Sequence, residues 1–261
     1  MADSEGYSRE FYDKYVELEE SPIFQQMIRP TVLQALSMTT LENKSVYEMG
    51  CGTGFFMRFA LLLQPRLYVG MDLSADFFHI LGDVARDLTA STQVKFIQGD
   101  NTVPITFPEY GSFDLVFSSY ALYATSYQQL LGYALHAFHA LTNSSDSFAL
   151  INVYHADAPR TKEVVEQLYS FNHTLHPKIP EGDSYPPYTK IQIDVTPPIL
   201  PQPLFFETEY VVGRQEFLRA FQEAGFVKIE TVVNIVTPGH EKLLEFADVW
   251  GLTAYKCYKS A

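Results

Sequence analysis

The sequence has few cysteines and few basic residues. Its two cysteines, Cys51 and Cys257, are too few and too far apart for a disulfide framework or a zinc site. The chain carries 18 Lys and Arg against 31 Asp and Glu, so its formal net charge is −13. Nucleic acids and anionic membranes would repel such a chain, and we expect neither as its main partner. The low cysteine content predicts a reducing, cytoplasmic compartment.

Long apolar runs are also missing. No window approaches the roughly 18 uninterrupted apolar residues of a membrane helix, and residues 1–20 lack the apolar segment of a secretion signal. We therefore expect a soluble chain. Hydrophobic residues make up 47% of it and aromatic residues 15%, which is enough for a sizeable core and excludes bulk disorder. The length of 261 residues predicts a single domain, 1–261, with an insertion, and two small domains are the alternative. It favours no particular oligomeric state.

From Ser45 onward, short apolar runs alternate with helical segments. Such alternation predicts an α/β fold, a doubly wound and mostly parallel sheet with helices on both faces. We expect the helix after the second strand to begin at Ser74, with Asp76 in its first turn, and a later helix over Arg214–Ala224 to stop at Gly225. The predicted strands are Val46–Met49, Leu67–Met71, Val94–Gln98, Phe113–Phe117, Phe148–Val153, a strand within Phe226–Val236, and Leu252–Tyr258.

Two segments depart from the alternation. Residues 1–40 form an N-terminal helical preface, in which Tyr12 and Tyr15 fall on one helical repeat. Residues 160–206 are rich in proline but contain the alternating Ile191, Ile193 and Val195, which predict a short edge strand. Because this insertion follows the carboxyl end of a strand, we expect a cap on the ligand side of the sheet, and an inert surface elaboration is the alternative.

A glycine-rich turn follows the first predicted strand. Gly50, Gly52 and Gly54 occupy alternate positions, which lets the backbone turn sharply and approach a ligand closely. A dinucleotide-binding turn would need glycine at position 55, where Phe55 stands, and a phosphate-binding loop would need Gly-Lys-Ser/Thr, which is missing. Both nucleotide-binding interpretations are therefore weakened.

Four motifs in this order resemble the class I S-adenosylmethionine-dependent methyltransferases. They are the acidic-x-Gly-x-Gly-x-Gly turn that Glu48 opens, Asp72 after the second strand, Gly99-Asp100-Asn101 after the third, and Phe113-Asp114-Leu115-Val116 opening the fourth. An acidic residue placed like Asp72 can accept hydrogen bonds from both ribose hydroxyls of a nucleoside.

The resemblance implies a Rossmann-like sheet of seven strands whose last strand is antiparallel. It also implies S-adenosyl-L-methionine as cofactor, S-adenosyl-L-homocysteine as product, and no metal. The cofactor-binding residues that it implies are Tyr12, Glu48, Gly50, Cys51, Gly52, Gly54, Asp72, Leu73, Asp100, Asn101 and Ser118.

Shorter pieces are similar to a small-molecule branch that includes toxoflavin-synthase-like methyltransferases. They are Tyr12-Asp13, Ser21-Pro22, Arg29-Pro30-Thr31, Phe205-Phe206-Glu207, Ala224-Gly225-Phe226 and Thr237-Pro238-Gly239. The branch tends to carry a basic pair soon after Ser-Pro, where this chain has Phe24-Gln25. This resemblance implies a small metabolite as the methyl acceptor.

Methyl transfer from a sulfonium requires alignment of the acceptor and exclusion of water. Tyr120 and Tyr123, after the fourth strand, are candidate pocket walls, with core packing as the alternative. His155, just past the fifth strand, is the candidate general base, with an exposed loop histidine as the alternative. We expect His136 and His139 to lie on a helix surface or in part of the core. A cofactor-binding protein or a cyclase of the same fold, without methyl transfer, is the second hypothesis for function.

Overall fold

The computed structural model describes residues 9–36, 41–107, 109–155, 175–177, 187–195, 205–250 and 252–260. Helical structure precedes the sheet, as predicted. Helix α1 spans Arg9–Glu19, a π-helical turn spans Phe24–Ile28, and α2 spans Arg29–Leu36. Among the described residues, no helix is long and apolar enough to cross a membrane.

The central alternation then begins. In chain order its elements are β1 (Ser45–Met49), α3 (Phe55–Leu62), β2 (Leu67–Asp72), α4 (Phe78–Leu88), β3 (Gln93–Gln98), β4 (Leu115–Ser119), α5 (Tyr127–Ala140) and β5 (Phe148–Tyr154). Every residue of β1 is buried, as expected for a central strand covered on both faces.

The second half contains a small sheet and the end of the alternation. Strands β6 (Leu175–Pro177), β7 (Thr189–Val195) and β8 (Phe205–Val211) form a three-stranded antiparallel sheet. They are followed by α6 (Arg214–Glu223), β9 (Lys228–Val232), α7 (Lys242–Trp250) and β10 (Leu252–Tyr258). The small sheet falls within the predicted cap, whose other residues mostly lie outside the described ones.

The main sheet has seven strands in the order β3-β2-β1-β4-β5-β10-β9. Strands β1 to β5 pair in parallel, and β10 pairs antiparallel with both β5 and β9. The predicted fold class, with its antiparallel last strand, is confirmed. Because the order reverses between β1 and β4, the ligand crevice of such a sheet is expected at the carboxyl ends of these two strands.

Three local predictions were wrong. Helix α4 begins at Phe78 rather than just after Ser74, because the Ser74 hydroxyl donates to Asp76 Oδ2 at 2.7 Å in a local turn that precedes the helix. Strand β7 is the central strand of its sheet, not an edge strand. Phe113 makes only an isolated bridge to Leu141, so β4 begins at Leu115.

Candidate active site at the carboxyl edge of the sheet

The glycine turn after β1 has the backbone that its three glycines predict. Gly50, Gly52 and Gly54 all have positive φ, at 75°, 46° and 81°. A Cβ on Gly50 would lie 2.2 Å from the Cβ of Ala121, whereas a Cβ on Gly52 would meet no described atom within 4 Å. Gly50 therefore permits close packing against the loop after β4, and Gly52 lines open space where a ligand can approach the backbone.

Asp72, the last residue of β2, is joined to this turn. Its Oδ2 accepts a hydrogen bond from the Gly52 N–H at 2.8 Å, and its Oδ1 accepts one from the Ser74 N–H at 3.0 Å. Burial raises the pKa of Asp72, against the lowering effect of these backbone donors. The next residue, Leu73, is 60% exposed, so an apolar side chain is presented beside the carboxylate.

The loop after β3 adds Asp100 and Asn101. Asp100 is exposed, and its Oδ1 accepts hydrogen bonds from both the N–H and the hydroxyl of Thr102, at 2.8 and 2.7 Å. Asn101 Oδ1 is buried and has no hydrogen-bond partner among the described residues. Its Nδ2 would lie 3.4 Å from a Cβ on Gly50. An acceptor buried without a partner, beside the glycine turn, marks a position where a ligand donor would be favourable.

Three of the predicted cofactor residues lie beneath the turn and support it. Glu48 is buried, accepts a hydrogen bond from the Tyr68 hydroxyl, and has its pKa raised well above the usual range by burial. Burial likewise raises the pKa of the Cys51 thiol, whose N–H donates to the Met71 carbonyl at 2.9 Å. The buried Ser118 hydroxyl donates to the Met49 carbonyl at 2.8 Å and so fixes β4 to the end of β1.

Of the three tyrosines predicted at the site, Tyr12 is buried, whereas Tyr120 and Tyr123 follow β4 at the carboxyl edge of the sheet. Tyr12 on α1 is buried, with its ring 5.4 Å from that of Phe77 after β2, so α1 packs against the loop after β2. Tyr120 has φ 53°, a conformation that costs a bulky residue energy and is typical of functional positions. Its ring lies 4.5 Å from the ring of Tyr154, and Tyr123 is 44% exposed.

His155 is not placed to act as a general base, and it is not an exposed loop residue either. It is 0% exposed, and its Nδ1 and Nε2 lie 3.3 Å from the Val212 carbonyl and 2.8 Å from the Tyr255 hydroxyl. Its backbone also bridges Val212, where the chain returns from the cap. A wholly buried imidazole with both nitrogens in contact with the protein holds the base of the cap and offers no nitrogen to a substrate.

Sequence reasoning missed an ion pair behind the turn, in which the Glu19 side chain is buried and the Arg58 side chain is 29% exposed. Glu19, at the end of α1, accepts hydrogen bonds from the Thr53 hydroxyl and from Arg58 Nη2, while Arg58 Nη1 donates to the Thr53 carbonyl at 2.8 Å. Burial raises the pKa of Glu19 to about 7, although Arg58 lowers it. No local pattern in the sequence signalled this pair, because the contact depends on the packing of α1 against the turn.

Phe24 and Gln25, which stand where the toxoflavin-synthase-like branch tends to carry a basic pair, have a structural role in this chain. The Phe24 ring lies 5.3 Å from that of Phe55, at the start of α3, and Gln25 Nε2 donates to the Glu19 carbonyl at 2.8 Å. Two pieces quoted for the branch each bond to a residue near the other piece: the Thr31 hydroxyl accepts from the Ile235 N–H, and the Thr237 N–H donates to the Gln26 carbonyl, both at 3.0 Å.

Two further histidines, His136 and His139, lie on α5. His136 is fully buried, bonded to the Tyr47 hydroxyl at 2.8 Å and the Val103 carbonyl at 2.9 Å, and burial lowers its pKa to about 4. His139 is exposed on the same helix. In the described ranges, no group of three or more His, Cys, Asp or Glu side chains is arranged to hold a metal ion.

The geometry at the β1–β4 switch point fits an adenosyl cofactor. The backbone beside Gly52 is open, the Asp72 oxygens have lone pairs left for ribose hydroxyls, and Asn101 has an unpartnered acceptor. Residues 46–144, from β1 to just past α5, match the family model described as a methyltransferase domain. This match and the strand order of the sheet agree with the predicted Rossmann-like methyltransferase fold.

Solved methyltransferases share this fold over nearly their whole length. The CcbJ methyltransferase from Streptomyces caelestis is 14% identical, with a TM-score of 0.64 over 99% of this chain and 100% of that one. An S-adenosylmethionine-dependent methyltransferase from Mesorhizobium loti is 17% identical, with a TM-score of 0.56 over 92% and 99%. The glycopeptide N-methyltransferase MtfA, solved with S-adenosylmethionine, is 14% identical, with a TM-score of 0.51 over 88% and 92%. At these identities the likeness shows the fold alone. No curated protein is similar enough in sequence to count as a match.

Proposed function

We propose that this methyltransferase transfers the methyl group of S-adenosylmethionine to an N, O or C atom of a small metabolite by in-line displacement. When bound, the cofactor supplies a methyl group activated by its sulfonium sulfur. The acceptor lone pair forms the new bond to carbon as the carbon–sulfur bond breaks, and sulfur keeps that electron pair. Protein residues need only align the two partners and keep water out.

The single observation that carries the proposal is the aromatic wall beside the glycine turn. Tyr120 is held in its strained conformation by an N–H that donates to the Asn152 carbonyl at 3.0 Å, and it packs on Tyr154. The next residue, Ala121, is the one that fits against Gly50. Tyrosine rings at this position give an acceptor an apolar surface next to the sulfonium, and their faces favour its positive charge.

Cofactor contacts are assigned on the same basis. Asp72 and Leu73 would hold the ribose and the adenine of the cofactor. Gly52 would lie against its methionine part. Asp100 and Asn101 would accept hydrogen bonds from adenine or from amino groups of the cofactor. The buried Tyr12 would act through its packing on Phe77, and Glu48, Gly50, Cys51, Gly54 and Ser118 through the shape of the turn. The three strands of the small sheet, β6–β8, come after β5 in the chain. This position supports the assignment of residues 160–206 as a cap that selects the acceptor.

The proposal also includes a cytoplasmic location and membership of the small-molecule branch of methyltransferases. Cys51 and Cys257 are both buried and free, which suits a reducing cytoplasm. The toxoflavin-synthase-like pieces, two of which lie in the segments joined by the Thr31–Ile235 and Gln26–Thr237 hydrogen bonds, support a small-molecule acceptor.

The test is incubation with S-adenosylmethionine and pools of heteroaromatic and other apolar metabolites, with mass analysis of the products. We expect one class of metabolite to gain 14 Da, roughly one CH2, and the gain to vanish in Gly52→Val. Cofactor binding without any mass gain, but with rearrangement of a metabolite, would favour the cyclase alternative. An absence of S-adenosylhomocysteine binding by calorimetry would contradict the assignment of the site itself.

A further inference from the structure

The residue between Gly52 and Gly54 is held from behind by a separate element of the chain. Thr53 is buried, and its hydroxyl donates to Oε1 of Glu19 on α1. The Thr53 carbonyl accepts from Arg58 Nη1 at 2.8 Å, and the other terminal nitrogen of Arg58 contacts Glu19 Oε2. Side chain and backbone of Thr53 are thus both fixed by one ion pair.

This ion pair complements the contact made by Asp72 on the neighbouring residue. Asp72 Oδ2 accepts from the Gly52 N–H, while Glu19 and Arg58 hold Thr53. Glycines at positive φ have little conformational preference of their own, so the turn needs external contacts to stay in one shape. The contact from β2 comes from a motif residue, and the contact from α1 comes from an element outside the matched family region.

Glu19 is itself held firmly. Its side chain is buried, with a relative exposure of 2%, and its carbonyl accepts from Gln25 Nε2 at 2.8 Å. The same helix is anchored two turns earlier by the packing of Tyr12 on Phe77. Helix α1 therefore spans from the loop after β2 to the loop after β1, which are two of the three loops proposed to contact the cofactor.

We propose that Glu19 is a positioning residue that acts through Thr53 and Arg58 to hold the Gly50–Gly54 turn, and with it α1, in the cofactor-binding conformation. Glu19 does not touch the cofactor, and the inference rests on the proposed cofactor site. The Arg58 side chain is 29% exposed, so water screens its charge and the ion pair itself contributes little net stability. The hydrogen bond from the Thr53 hydroxyl to Glu19 is buried, and removal of the carboxylate leaves that hydroxyl without this acceptor. Loss of Glu19 is therefore expected to release the turn and weaken cofactor binding.

The experiment measures S-adenosylhomocysteine affinity by calorimetry for the full chain and two pairs of variants. Glu19→Ala removes both acceptors, and we expect about tenfold weaker binding, the size of one lost charge-assisted contact. Glu19→Gln keeps an amide oxygen for Thr53 or Arg58, and we expect rescue to within about threefold. Thr53→Val removes the hydroxyl at similar volume and should weaken binding about fivefold, whereas Thr53→Ser should restore it.

A second readout separates positioning from general destabilisation. Hydrogen exchange in Glu19→Ala and Thr53→Val should be faster at residues 9–19 and 50–54, while the amides of β4 and β5 stay as protected as in the parent. Asp83→Asn, which breaks only the exposed pair with Arg86, is the matched control and should change neither readout.

The outcomes distinguish this inference from the proposed function. If the parent chain does not bind S-adenosylhomocysteine, the cofactor site is wrong. If the parent binds S-adenosylhomocysteine and both Thr53→Val and Glu19→Ala bind it as tightly as the parent does, Glu19 has no positioning role. Should Glu19→Ala fail to fold, the Thr53→Val and Thr53→Ser pair decides, because both keep the ion pair; equal affinity of that pair overturns the inference.

Discussion

The carboxylate of Asp72 accepts a hydrogen bond from the backbone N–H of Gly52 at 2.8 Å. The acid that we propose binds the ribose thereby also shapes the turn that we propose receives the rest of the cofactor. These two roles are coupled, because β1 and β2 pair in parallel and place both residues at the same edge of the sheet.

Substitution of Asp72 should weaken cofactor binding strongly. We expect Asp72→Ala to cost about 2 to 4 kcal/mol of affinity, since it removes a charged acceptor of two hydroxyls and frees the Gly52 N–H. Asp100→Asn should cost less, because an amide oxygen still accepts. Calorimetry with S-adenosylhomocysteine checks both, with the exposed Asp87→Ala on α4 as the control. An unchanged affinity in Asp72→Ala would remove Asp72 from the site.

The glycines of the turn should respond differently to added side chains. Gly52→Val should abolish cofactor binding because it fills the open space beside the backbone, while the strain of positive φ costs about 1 to 3 kcal/mol of stability. Gly50→Ala should instead destabilise the fold itself, since its Cβ would lie 2.2 Å from that of Ala121. Thermal melts and binding measured on both proteins check this, and full binding by Gly52→Val would refute it.

His155 should be a stability residue. We expect His155→Ala to cost about 3 kcal/mol, because it empties a buried site and leaves the Tyr255 hydroxyl without this partner, and Tyr255→Phe to cost about 1 kcal/mol. Urea unfolding gives both values. S-adenosylhomocysteine affinity measured on the folded fraction should not change. A His155→Ala protein as stable as the parent would show that the imidazole does not support the cap.

Much of the fold could be predicted from the chain because its signals are local. The buried run at Val46–Met49 and the alternate glycines after it specify a central strand and a sharp turn, whatever the rest of the chain does. His155 was misplaced because its burial depends on Val212 and Tyr255, which are distant in sequence. Glu19 was missed for the same reason, since only the packing of α1 brings its carboxylate to Thr53 and Arg58. Tertiary contacts of polar side chains leave no periodic pattern in a sequence.

His136 should make the stability of the protein depend on pH on the acid side. Its pKa is about 4 in the folded protein and about 6.5 in the unfolded chain, where the imidazole is exposed. Below pH 6.5 the unfolded state therefore binds more protons than the folded state, so the free energy of unfolding falls as the pH falls, and this effect levels off below about pH 4.

We expect the loss attributable to His136 to reach about 3 kcal/mol by pH 4. Urea unfolding at pH 7, 5.5 and 4.5 measures it. His136→Gln should be less stable than the parent at pH 7, because the contacts with Tyr47 and Val103 change, but its stability should fall less steeply with acid. His139→Gln, an exposed change on the same helix, should keep the slope of the parent. Equal slopes for the parent and His136→Gln would show that His136 does not titrate differently on folding.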